Sequence, residues 1–208
     1  MRLMNRKTLS ALAAVGALAV AGCGDDETSG ESGSSAAGNG VDRAFVADMI
    51  PHHESAIEMA NSAGQRGESA FVKQLAKDIV VSQSKEISTM RREDAALASA
   101  GVQRGSLDVP EHEKGMDHDA KTLETADPFD PAFIKMMIPH HEGAVTMAKV
   151  EIDKGESPAL KKLAQEIIDA QEREIGEMRK HLASSGEGEG TVDEDHTTED
   201  DAGGGHSG

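Results

Sequence analysis

Residues 45–92 align with residues 133–180 without a gap, at an offset of 88, and 22 of the 48 positions are identical. A duplicated unit carries the same apolar face twice and cannot bury that face alone, so the two copies must pack on each other. The first copy opens Phe45-Val46-Ala47-Asp48-Met49-Ile50-Pro51-His52-His53-Glu54, and the second Phe133-Ile134-Lys135-Met136-Met137-Ile138-Pro139-His140-His141-Glu142. Both continue with Met-Ala (Met59-Ala60; Met147-Ala148) and share a Gly-Glu-Ser turn at residues 67–69 and 155–157.

Each copy reads as helix, turn, helix. Phe45, Met49, His52, Ala56 and Met59 step by four and three residues, the spacing of one helical stripe, and Phe133, Met137, His140, Ala144 and Met147 repeat it. Val72, Leu75, Ile79, Gln83, Ile87 or Glu86, and Met90 trace a seam on the second helix, matched by Leu160, Leu163, Ile167, Gln171, Glu174 and Met178. Asp42 reads as the first N-cap, and Asp130-Pro131 and Ser157-Pro158 read as cap and first-turn pairs. Pro51 and Pro139 fall inside the first and third patterns. Either each helix starts at its proline or it runs through with a kink, and the unbroken seam favours the kinked helix. The expectation is an all-α fold, a four-helix bundle spanning residues 41–184, with short turns within each pair and a longer crossover between them.

The ends read differently. Arg2, Arg6 and Lys7 precede an apolar run at residues 9–20, and Val20-Ala21-Gly22-Cys23 resembles a bacterial lipoprotein box. Residues 1–22 are therefore expected to be a signal peptide, with Cys23, the only cysteine, as the lipidated residue. Residues 23–40 and 185–208 are rich in Gly, Ser and acidic side chains, and are expected to form a flexible tether and a disordered tail. Between them lie about 140 residues, enough for one core. The net charge of −17 argues against nucleic acid, which needs a basic footprint. The chain has no Trp or Tyr and four Phe, so its core must come from aliphatic residues and methionine, of which there are ten, two of them in the expected signal peptide.

The seam histidines His52 and His140 should point inward, with His53 and His141 about 100° round the helix. Met49, Met59, Met137 and Met147 share those seams. Imidazole suits copper, zinc, iron and nickel, while thioether selects soft Cu(I). Methionine at seam spacing also serves as core filler, and a seam histidine can be a hydrogen-bonded core residue. Glu86 and Glu174 offer a second metal reading, a carboxylate-bridged dimetal oxidase. Such sites present Glu-x-x-His, whereas this chain has Gln-x-x-Glu. Glu54 and Glu142 read as a solvated flank. His112, Met116 and His118 in the crossover form a capture loop or simply a polar loop, and His196 and His206 belong to the tail.

The duplicated Met-Ile-Pro-His-His-x-x-Ala-x-x-Met-Ala motif resembles the exported bacterial family known as domain of unknown function 305, over residues 41–183. The resemblance implies a ferritin-like four-helix bundle. For some relatives it implies copper handling through His and Met, which falls here on Met49, His52, His53, Met59, Met137, His140, His141 and Met147. No nucleophile with its base and no phosphate loop is present. The expectation is an extracytoplasmic protein, lipid-anchored to the cell membrane, that buffers copper or transfers it to copper-handling partner proteins. The alternative is an interaction module without metal.

Overall fold

The structure, a computed structural model, describes residues 38–117 and 120–186. The expected signal peptide, Cys23, most of the tether, His118 and nearly all of the tail lie outside the described residues. Four α-helices form the fold: α1 (Gly40–Arg66), α2 (Ala70–Ser99), α3 (Phe129–Lys154) and α4 (Pro158–Ser184). Two 3-10 turns, Glu111–Glu113 and Ala120–Glu124, lie in the crossover. The described residues contain no strand, and no helix among them is long and apolar enough to cross a membrane.

α1 runs through Pro51 and α3 through Pro139, so neither helix starts at its proline. Each proline lacks the N–H that would bond the carbonyl four residues back, at Ala47 and Lys135. Packing of the seam on both sides of the proline offsets that loss.

Two of the expected caps are different. Asn39, not Asp42, caps α1: its side chain accepts from the Val41 and Asp42 N–H groups, and Asp42 is the third residue of a capping box. α3 starts at Phe129, so Asp130 and Pro131 sit inside its first turn. The two aspartates are used across the bundle instead. Asp42 accepts from the N–H groups of Glu156 and Ser157 at the α3–α4 turn. Asp130 accepts from those of Glu68 and Ser69 at the α1–α2 turn. Cap signals are local, and the sequence does not say which turn a first-turn carboxylate will reach. Ser157 does cap α4, with Pro158 behind it, as its pattern predicts.

α1 packs on α2, α3 on α4, and α1 on α3; α2 and α4 touch only sparsely. The core has two halves related by the repeat. In one, Phe45, Met49 and Met90 meet Met147, Ala148 and Ile167. In the other, Phe133, Met137 and Met178 meet Met59, Ala60 and Ile79. The start of α1 therefore lies on the end of α3 and the reverse, so the two helices run antiparallel. A polar layer separates the halves.

Candidate metal centre

That layer is built by the positions where the repeat is strictest. α1 and α3 cross at His52 and His140, whose tilted rings have centroids 3.7 Å apart and planes inclined by 38°. One residue on, about 100° round each helix, His53 and His141 turn toward α2 and α4. There, His53 Nε2 bonds Glu86 Oε2 at 2.7 Å, and His141 Nε2 bonds Glu174 Oε2 at 2.7 Å. All four imidazoles are buried, as are Gln83 and Gln171, one turn before the glutamates. A polar layer at the centre of a bundle this small runs against the cost of desolvating polar groups, which is normally met by hydrogen bonds.

Here it is not fully met. His53 and His141 each spend Nε2 on a carboxylate, and the Nδ1 atom of each is buried without a hydrogen bond. With the glutamate oxygen as acceptor, Nε2 carries a proton, and Nδ1 is the atom left to present a lone pair to a metal. Both ring nitrogens of His52, Oε1 of Gln83 and both polar side-chain atoms of Gln171 are likewise buried without a hydrogen bond. Burial, and then the neighbouring His53 and His141, push His52 down to about 3. The backbone of Lys114 and of His140 lies near the ring and opposes that shift without overcoming it. His52 is a neutral imidazole at any ordinary pH.

The methionines flank the layer rather than enter it. Met49 and Met147 share the apolar half that holds Met90, and Met59 and Met137 share the half with Met178. The sequence places Met49 and Met59 on one seam, but they belong to opposite halves, since ten residues of helix span about 15 Å. Each half thus holds a trio of buried thioethers next to the imidazole layer. Among the described residues no three His, Cys, Asp or Glu side chains converge as a preformed cluster. A metal site here would draw on imidazole nitrogen with thioether sulfur rather than on carboxylate groups alone. That donor set fits a soft ion and does not fit a carboxylate-bridged pair.

The surroundings seal one side of the layer. Lys114 pairs with Asp48 at 3.0 Å and Glu111 at 2.7 Å, and Arg104 pairs with Asp48, tying the crossover down onto α1. A Cβ on Gly143 would lie 2.0 Å from the Lys114 carbonyl, and one on Gly115, where φ is +69°, 2.3 Å from the Pro139 carbonyl. The crossover backbone therefore lies directly on α3 beside His140. The first copy has Ser55 where the second has Gly143, so the repeat departs where the strap docks.

Glu54 and Glu142 are exposed as expected, and each pairs with an arginine, Arg91 and Arg179. In the crossover, His112 and Met116 are exposed and far less enclosed than the layer. Sequence reasoning did not link Glu86 to His53 or Glu174 to His141. The available signal was an identical Gln-x-x-Glu interrupting an apolar seam in both copies.

A family model described as domain of unknown function (DUF305) matches residues 24–93 and 98–182. Among solved structures, CopM in its Cu(II)-bound form is 34% identical, covering 69% of this chain and 97% of that one, with a TM-score of 0.60. CopM in its Cu(I)-bound form is also 34% identical, over 69% and 96% of the two chains, with a TM-score of 0.58. A DUF305 protein of Streptomyces coelicolor that carries a secreted assignment is 30% identical, over 73% and 96%, with a TM-score of 0.62. The uncharacterized protein L153 of Acanthamoeba polyphaga mimivirus is 42% identical over 53 residues, which span 26% of this chain and 35% of that protein.

Proposed function

The chain belongs to the DUF305 family, and from that premise we propose that it is an extracytoplasmic copper-binding protein that holds the ion in its histidine–methionine interior. One observation carries the reading. His53 and His141 are each held at Nε2 by a glutamate while Nδ1 stays buried without a hydrogen bond. A carboxylate behind an imidazole, with the other ring nitrogen unoccupied, is the arrangement that orients and strengthens a histidine ligand. His52 and His140 lie between these two rings, and the thioether trios lie on either side. A copper ion bound there would gain nitrogen and sulfur ligands that favour the soft monovalent state. Methionine is a safe soft ligand in an oxidising compartment, since it forms no disulfides.

CopM, solved with Cu(I), Cu(II) and silver, supports the metal assignment, and the secreted relative supports the location. The lipid anchor at Cys23 rests on the Val-Ala-Gly-Cys pattern, and the tether would hold the bundle off the membrane. Buffering or transfer to a copper-handling partner is the role we assign, because the layer lacks a nucleophile paired with a base. The competing reading, an interaction module whose histidines only support packing, is separated by metal content. Protein purified after exposure to Cu(I) and desalting should retain copper in a fixed ratio; the packing-only reading requires that it retain none.

A further inference from the structure

Every donor in the histidine layer is buried, so an ion must have a way in. The crossover closes one side, where Lys114 and Gly115 lie on α3. The α1–α2 and α3–α4 interfaces are tightly packed hairpins. The remaining side is different. α2 and α4 are barely in contact, and between them runs an open groove of about 940 Å³. Of the polar layer, only Glu86 and Glu174 line this groove; the imidazoles and glutamines lie behind them. Both glutamates are largely covered, with 16% and 10% of their side chains exposed. They also occupy repeat-equivalent positions, as do Ser82 and Ala170 on the two walls. The two carboxylates are thus at once the floor of the groove and the hydrogen-bond partners of the buried His53 and His141.

We propose that the α2–α4 groove is the port by which a metal cation reaches the histidine layer, with Glu86 and Glu174 as the positioning residues at its inner end. This rests on the copper-binding reading above. A carboxylate on a flexible side chain meets the cation in water, screens its charge as solvent is shed, and by swinging aside opens a way past the imidazole toward its Nδ1 before returning to Nε2. Two such groups serve one ion from opposite walls. The groove carries charges of both signs, so the attraction is local to its floor rather than a property of the whole face.

A port affects the rate of filling and emptying, not the energies of the free and bound states. Stopped-flow uptake of Cu(I) by the full chain, alongside equilibrium competition with a chelator, separates these. Ser82→Trp with Ala170→Trp fills the walls one helical turn before Glu86 and Glu174 and leaves the four histidines unchanged, and Ser88→Trp, on α2 outside the groove, is the control. The expected result is uptake slowed by at least about tenfold, with the dissociation constant of the double variant within about threefold of the wild type. Should the tryptophan pair fail to fold by circular dichroism, Ser82→Arg with Ala170→Arg reaches solvent more easily and should slow uptake by bulk and charge together. Unchanged uptake in a folded double variant, with histidine-dependent binding intact, overturns the port alone. Copper binding that survives replacement of all four layer histidines overturns the copper reading, and the port with it.

Discussion

Asp42 and Asp130 stand 88 residues apart, and each caps the inter-helix turn of the other hairpin. Asp42 accepts from Ser157 N at 2.8 Å, and Asp130 from Glu68 N and Ser69 N at 2.8 Å each. Partial burial would raise the Asp130 carboxyl, but the N–H donors of Glu68 and Ser69 and the Ser69 hydroxyl outweigh it and hold the group below the usual range. The two hairpins are therefore interlocked at both ends as well as through their cores. Residues 41–105 expressed alone lack Asp130 and the whole facing seam, and should give no cooperative thermal melt by far-UV circular dichroism. A monomeric, fully helical, cooperatively melting fragment would contradict the single-bundle account. Asp130→Ala should cost the whole protein about 1–2 kcal/mol in urea denaturation.

Glu151 gives the interlock a pH dependence that its counterpart end lacks, because the equivalent residue of the first copy is Ala63. No donor reaches either oxygen of the buried Glu151 carboxyl. Burial first, and then the hydrogen bond and charge of Asp42, push it up to about 9, with Lys161 opposing. It is a neutral acid at pH 7 that donates to Asp42. Its folded pKa is above its unfolded value of 4.5, so its stabilising contribution is full below that value and is lost as pH rises toward about 9. Denaturation midpoints of the wild type should fall as pH rises from about 4.5 to about 9. Glu151→Gln should flatten the decline, since the amide keeps a donor for Asp42 and cannot ionise. An identical decline in the variant would remove Glu151 as its source.

His52 acts in the opposite direction. Its folded pKa of about 3 lies below the ordinary imidazole value of 6.5, so its contribution is complete above 6.5 and is lost as pH falls toward 3. In NMR spectra of the metal-free protein its imidazole signals should not shift between about pH 8 and pH 5. Titration near the ordinary histidine value would mean that the layer is wet, and would undo the argument from orphaned nitrogens.

Cys23→Ser tests the anchor. The wild type should fractionate with membranes and carry the added mass of its acyl chains; the variant should lose both. Equal membrane attachment and an unmodified mass in both proteins would eliminate lipidation.

The fold was legible because the repeat and the 4-3-4-3 seams are local signals with one packing solution. The inward histidines were legible for the same reason. The carboxylate partners were not, since seam spacing says that Glu86 lies near the core boundary but not which helix's histidine it meets. The grouping of the methionines was missed because α1 and α3 run antiparallel, which exchanges Met59 for Met147 beside Met49. Gly143 is, in sequence, only a departure from Ser55 of the first copy; its reason is the crossover backbone at Lys114 and Gly115 that lies on it.

Copper held by the histidine layer must depend on its four histidine side chains. Cu(I) titration of the purified protein against a competing chelator tests that dependence most directly, with variants checked for helicity by circular dichroism. Replacing Glu86 and Glu174 by Ala should weaken binding by about 10–100-fold, because the imidazoles lose their orienting partners. Replacing His52, His53, His140 and His141 by Ala should abolish the tight phase. A folded quadruple variant that binds the same amount of copper with the same affinity as the wild type would contradict the account.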